Sequence, residues 1–172
     1  MTTSLTILGI DPGSQVTGFG VITARGATLA YVGSGCIRTG GGEMAARLRI
    51  IFEGASRLVE QYAPDEVCIE RVFMHRNADS ALKLGHARAA ALCGTFIRMV
   101  PVHEYAAREV KQAVTGSGGA EKSQVAHMVR RLLSLDGPLA ADAADALAVA
   151  ICHAQLRGGR ALRAQLTAGG RA

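Results

Sequence analysis

No apolar run in this 172-residue sequence reaches the ~20 residues that a membrane span requires. The few residues before Leu5 have neither the basic flank nor the cleavage-site pattern of a secretion signal, so a soluble cytoplasmic protein is expected. C-x-x-C spacing is also missing. Cys36, Cys68, Cys93 and Cys152 are scattered, each inside an apolar run, which favours buried free thiols over zinc ligands or a disulfide framework. At 172 residues and 49% hydrophobic content there is enough to bury one core and too little for two full domains.

Acid is absent from the last stretch, where Arg157, Arg160, Arg163 and Arg171 supply most of the net charge of +5. The remainder is almost neutral, but two segments stand out within it. Residues 71–88 carry Arg71, Arg76, Lys83 and Arg88 against Asp79, and residues 105–131 carry Arg108, Lys111, Lys122, Arg130 and Arg131 against Glu109 and Glu121. A basic balance of this kind makes a nucleic-acid partner plausible without proving it.

Leu5 to Asp11 reads as a buried strand closed by an acid, with Pro12-Gly13 as a turn signal. Strands over 18–23 and 27–37 would follow as a hairpin turning at Arg25-Gly26. Leu48, Ile51, Phe52, Ala55, Leu58 and Val59 recur at helical spacing over 43–62, and Pro64 closes that segment. A short strand over 66–70, a helix over 77–99 and a strand over 101–104 come next. Helices over 106–114, 121–135 and 141–156 complete the pattern. Strands leading into alternating helices indicate an α/β domain over residues 1–156, a mixed sheet with helices on both faces. The Gly-, Ala- and Arg-rich stretch 157–172 has no amphipathic period long enough to pack, and disorder is expected there.

Four acids carry the chemistry. Asp11 ends a strand at the carboxyl edge where open α/β sheets hold their sites, although Asp before Pro-Gly is equally a turn former. Glu70 ends Val67-Cys68-Ile69, and its charge must be met either by Arg71 or by a cation. Asp142 and Asp145 stand three apart at the start of an otherwise apolar helix. Acids there complement the helix dipole, and Asp142 suits an N-cap, yet two carboxylates entering a buried interface repel unless something positive lies between them. Together they form an oxygen-only donor set that suits Mg²⁺ or Mn²⁺. Two such ions could activate water for in-line attack on a phosphodiester and stabilise the leaving 3′ oxygen.

The runs Gly9-Ile10-Asp11-Pro12-Gly13, Ile69 to Met74, Asn77 to Gly85 and Asp142 to Ala148 closely resemble, in the same order, those of RuvC, the bacterial Holliday-junction resolvase family. The resemblance covers about residues 5–156. It implies a ribonuclease H-like fold with a five-stranded mixed sheet, and a homodimer that places paired symmetric nicks in a four-way DNA junction during recombination and repair. Mg²⁺, with Mn²⁺ as substitute, would act as two ions per site and leave 5′-phosphate and 3′-hydroxyl ends. The family's catalytic, metal-holding acids fall on Asp11, Glu70, Asp142 and Asp145, although some relatives carry histidine at the position of Asp142. The resemblance also implies cooperation with the RuvA and RuvB branch-migration proteins. Arg71 stands where glutamine is usual, and His75 where a small residue is common.

Phe73 and Met74 follow Glu70 and could wedge between bases at the crossover, or tuck onto the core; the resemblance favours the wedge for Phe73. Arg76, Lys83, Lys111 and Lys122 are the candidate phosphate contacts, the last two flanking Gly116-Ser117-Gly118-Gly119, a loop whose amides could approach an anion. His86, His103, His127 and His153 read as structural or surface residues. His153 returns to the face of Asp142 about three turns on, too far to share its metal. The helix over 77–99 is the candidate dimer surface, through Ala81, Leu84, Ala89, Leu92 and Phe96.

Three other functions fit parts of the pattern. Asp11-x-Gly13 with Ser14, Thr17 and Gly18 resembles the phosphate hairpin of actin-like and sugar kinases, a class that needs two such domains. A nuclease that trims ribosomal RNA precursors shares the Gly-Ile-Asp strand. A catalytically dead junction scaffold is opposed by the presence of all four acids.

Overall fold

The alternation of side chains along β1 (Leu5–Asp11) explains the architecture. Leu8 and Ile10 point to one face of the sheet, Ile7, Gly9 and Asp11 to the other, as period-2 geometry requires. In a computed structural model, which describes residues 3–71 and 77–169, both faces are covered. β2 (Val16–Arg25) and β3 (Thr28–Arg38) pair antiparallel with β1 and each other. β4 (Glu66–Glu70) and β5 (Val102–Tyr105) add in parallel on the other side, giving the order β3-β2-β1-β4-β5.

On one face α1 (Met44–Tyr62) and α2 (Ala78–Thr95) pack over Leu8, Ile10, Val21, Val67 and Ile69. On the other, α3 (Ala107–Thr115), α4 (Lys122–Leu132) and α5 (Ala141–Gly169) close over Ile7, Ile22, Cys68 and Tyr105. α5 lies directly on the sheet because β1 and β2 present glycine beneath it. A Cβ on Gly9 would stand 2.2 Å from the Ala146 carbonyl oxygen, and one on Gly18 would stand 2.0 Å from that of Asp142. No helix among the described residues is long and apolar enough to cross a membrane.

The observed α/β sheet matches the expected class, and β1 and β4 have the expected bounds. α5 does not. It continues to Gly169, past Leu156, where disorder was expected. Ala161, Leu162, Arg163, Ala164, Gln165 and Leu166 are strong helix formers, and propensity extends the helix without any packing period. Phe52 also departs from expectation, being 40% exposed although it recurs at core spacing on α1. Cys68 and Cys152 are buried free thiols as expected, whereas Cys93 is exposed.

Candidate active site

Register brings the acids together. Asp11 lies one residue beyond the Ile10–Ile69 pair of β1 and β4, which sets it beside Glu70 at the carboxyl ends of two adjacent parallel strands. Asp145 reaches the same point from the second turn of α5. The three line a cleft of about 520 Å³ with Lys111 of α3, Lys122 of α4 and Arg71. The Pro12–Gln15 turn beside Asp11 is pinned from within. Thr17, fully buried, donates its hydroxyl to the Gly13 carbonyl (2.9 Å) and accepts from the Gly13 N–H (3.3 Å), while Arg47 Nε and the Thr39 hydroxyl donate to the Ser14 carbonyl (2.9 and 3.1 Å). A phosphate hairpin would need that Gly13 amide free, and here it is engaged.

Electrostatics distinguish the cleft from a row of surface acids. Burial, then the Glu70 and Asp145 carboxylates, push the Asp11 carboxyl from 3.8 up to about 7; Lys122 opposes them, and Asp142 adds a smaller push. Glu70 is also raised, first by burial and then by Asp145, against Lys122 and Lys111. Like charges are thus crowded beyond what the two lysines neutralise, and every acidic donor is a hard carboxylate oxygen. That chemistry fits a hard divalent cation. Lys122 supplies the positive charge that the protein itself provides. Its Nζ lies 2.8 Å from Asp145 Oδ2, and this contact, then the general attraction of Asp145, raises its pKa. As the first residue of α4 it occupies a position the helix dipole disfavours for a cation, and the Asp145 contact offsets that.

The alternative account of Glu70, a partner in Arg71, does not hold. Arg71 Nε instead faces Glu104 (3.7 Å), and Arg88 Nη2 stands 2.8 Å from the same carboxylate as a charge contact without hydrogen-bond geometry. Arg88 Nε donates to the Glu70 carbonyl (3.3 Å) and so braces the strand end from α2. This bracing was not anticipated; its sequence signal was Arg88 within the basic segment 71–88.

Asp142 is set apart from the other three acids. It does not line the cleft, and its backbone carbonyl lies over Gly18, near enough for its charge to add to the rise at Asp11 and at Cys36. Lys83 pairs with Asp79 one turn back on α2 and does not line the cleft either. Three of the four amides of the Gly-rich loop are spent internally: Gly116, Ser117 and Gly118 donate to the Gln112 carbonyl, Thr115 Oγ1 and Gln112 Oε1, and the next residue, Ala120, donates to the Ser117 carbonyl. Lys111 and Lys122 therefore converge on the acids rather than frame a backbone anion cradle. Phe73, Met74, His75 and Arg76 lie outside the described residues.

Residues 7–153 match the family model described as crossover junction endodeoxyribonuclease RuvC. Curated proteins of that name are similar over most of the chain. The one from Vibrio cholerae is 59% identical over 148 residues, 86% of each chain. The one from Pseudoalteromonas translucida is 55% identical over 148 residues, 86% of this chain and 85% of the relative. Among solved structures, Thermus thermophilus RuvC in complex with Holliday junction substrate superposes with a TM-score of 0.83 at 33% identity, covering 89% of this chain and 94% of that one. A yeast mitochondrial Holliday junction resolvase shares the fold at a TM-score of 0.65 and 12% identity, covering 93% and 85%.

Proposed function

The chain belongs to the RuvC family of crossover junction endodeoxyribonucleases, and from that premise we propose how its residues resolve a four-way DNA junction by metal-dependent hydrolysis. The observation that carries the reading is the convergence of Asp11, Glu70 and Asp145 from β1, β4 and α5 on one cleft lined by two lysines.

The nuclease domain spans residues 1–156. Asp11, Glu70 and Asp145 hold the metal, and Asp142 contributes from the cleft's edge. Two Mg²⁺ ions there, replaceable by Mn²⁺, would activate water for attack on phosphorus and stabilise the leaving 3′ oxygen, giving 5′-phosphate and 3′-hydroxyl ends. The chain's own part is positioning. Strand-end and helix carboxylates define the cleft, Arg88 braces the end of β4, and Lys111 and Lys122 offer charge to the scissile and neighbouring phosphates. Phe73, with Met74, serves as the wedge at the crossover, and Arg76 and Lys83 contact phosphates farther along the arms.

Symmetric nicks in opposing strands require two such clefts, hence a homodimer. α2 and the segment after it expose Leu82, Phe96, Ile97 and Met99, apolar surface suited to a second copy. Ala89 of the expected face is exposed, while Ala81, Leu84 and Leu92 are half-buried. The RuvA and RuvB proteins are the working partners, and the cytoplasm the place of action. The test is a mobile four-way junction incubated with the protein and Mg²⁺. Paired symmetric nicks that vanish with EDTA are expected. ATP hydrolysis without junction cutting would overturn the reading in favour of a kinase-like one, and equal cutting in EDTA would overturn the metal mechanism.

A further inference from the structure

The same face of the sheet that carries Asp11 and Glu70 bears a second cluster at its opposite end. β4 and β5 pair with Cys68 opposite His103, so Glu66 and His103 project toward α5, where His153 meets them. Glu66 Oε2 is hydrogen-bonded to His153 Nε2 and lies 3.7 Å from His103 Nε2. One ligand atom from each of the three residues lies within 4.8 Å of the others, a spacing that among the described residues is found here and not among the acids of the cleft.

We propose that Glu66, His103 and His153 form a second metal site, selective for a zinc-class divalent ion, which clips α5 to β4 and β5. Two imidazoles and one carboxylate are the donor set of Zn²⁺ and its borderline neighbours, and a poor one for Mg²⁺. Metal–ligand distances of about 2.0–2.1 Å in a tetrahedron place donor atoms ~3.4 Å apart. The His103 separation is already close to that, and an ion would replace the short Glu66–His153 hydrogen bond, moving those two donors apart.

The non-ligating atoms are held as a metal site requires. Tyr105, fully buried, places its hydroxyl 2.7 Å from His153 Nδ1. In the metal-free protein Nε2–H donates to Glu66 and Nδ1 accepts from the Tyr105 hydroxyl; with the ring proton moved to Nδ1 and donated to that same oxygen, the Nε2 lone pair would be free for an ion. Arg157 Nη2 donates to Glu66 Oε1 at 2.8 Å, leaving Oε2 for the ion. Accessibility is graded along the cluster, with the His153 side chain 1% exposed, Glu66 15% and His103 35%, so an ion can enter from the His103 side and water can complete its shell.

The test is calorimetric titration of the full chain with Zn²⁺ in saturating Mg²⁺, which occupies oxygen-only sites first. One tight Zn²⁺ per chain is expected, retained in Glu70→Gln and weakened at least about tenfold in His103→Gln. His103 is partly exposed, so this variant should keep its metal-free melting temperature, which is checked first. Substitution by Co²⁺ should give the visible bands of a four- or five-coordinate nitrogen-ligated ion in wild type and lose them in His103→Gln. Zn²⁺ uptake equal in wild type and His103→Gln, uptake lost in Glu70→Gln, or no uptake at all would each overturn the proposal and leave a metal-free hydrogen-bonded clip.

Discussion

Glu66 and Glu70 sit on one face of a five-residue strand, both turned toward α5, and their surroundings act on them in opposite directions. Burial, then the Asp145 carboxylate, raises the pKa of Glu70; at Glu66 burial acts the same way, but hydrogen bonds and charge from Arg157 and His153 outweigh it and the pKa is lowered. The same α5 supplies an acid at one end, Asp145, and a base at the other, His153, about two turns apart along one helix face. Residue type therefore says little about a site until the sign of its neighbours is known. The carboxyl end of the sheet holds more negative charge than Lys111 and Lys122 offset, whereas at the amino end Arg157 and His153 meet the single carboxylate.

The largest effect that would break this comparison is on cutting. Glu70→Gln should reduce the junction-cleavage rate at least about a hundredfold while making the metal-free protein more resistant to urea, because a crowded like charge is gone. A variant that still cuts within tenfold of wild type would remove Glu70 from the machinery. At the other end the stability sign reverses. Glu66→Ala leaves the buried His153 and Arg157 without their shared acceptor and should cost about 1–3 kcal/mol in urea denaturation; no loss would mean that the contact contributes nothing.

The pH dependence sharpens the same contrast. Asp11 has its carboxyl raised from 3.8 to about 7, so the fold favours its protonated form. Its contribution to metal-free stability is full below about pH 4 and is lost as pH rises through about 7. Glu66 is lowered from 4.5, so its contribution is present above about pH 4.5 and is lost as pH falls through the folded value. Denaturation in EDTA across this range should show both slopes, with Asp11→Asn flattening the decline on the alkaline side and Glu66→Ala the decline on the acid side. An unchanged alkaline slope in Asp11→Asn would show that Asp11 is not the crowded carboxyl.

How far sequence reading reached follows the same division. β1 and β4 were legible because apolar runs closed by an acid and a turn signal leave little choice, and the strand-end acids came with them. Asp142 was grouped with the other three acids, and the fold gives it a neighbourhood of its own beside them. Helical spacing alone does not show that Gly18 lies under the first turn of α5 and sets Asp142 at the cleft's edge. The Arg71 alternative for Glu70 failed because Glu104, on the neighbouring strand, draws Arg71 and Arg88 together. The amino-end cluster escaped because positions 66, 103 and 153 meet through a parallel β4–β5 register that no local pattern encodes. One signal was present: His153 returns to the helix face of Asp142, and that face runs the length of the sheet.

The smallest expected effect concerns the lysines. Lys111→Ala and Lys122→Ala should each weaken junction binding and flatten its salt dependence by about one counterion. An unchanged slope would take that lysine off the phosphate backbone and leave it as a counter-charge to the acids.

The most direct test of the metal-dependent cleft is single-turnover cleavage of a mobile four-way junction by wild type and Asp145→Asn, both fully bound to DNA in Mg²⁺. The account predicts paired symmetric nicks from wild type and an intact, bound junction from the variant. Cutting by Asp145→Asn at the wild-type rate would contradict it.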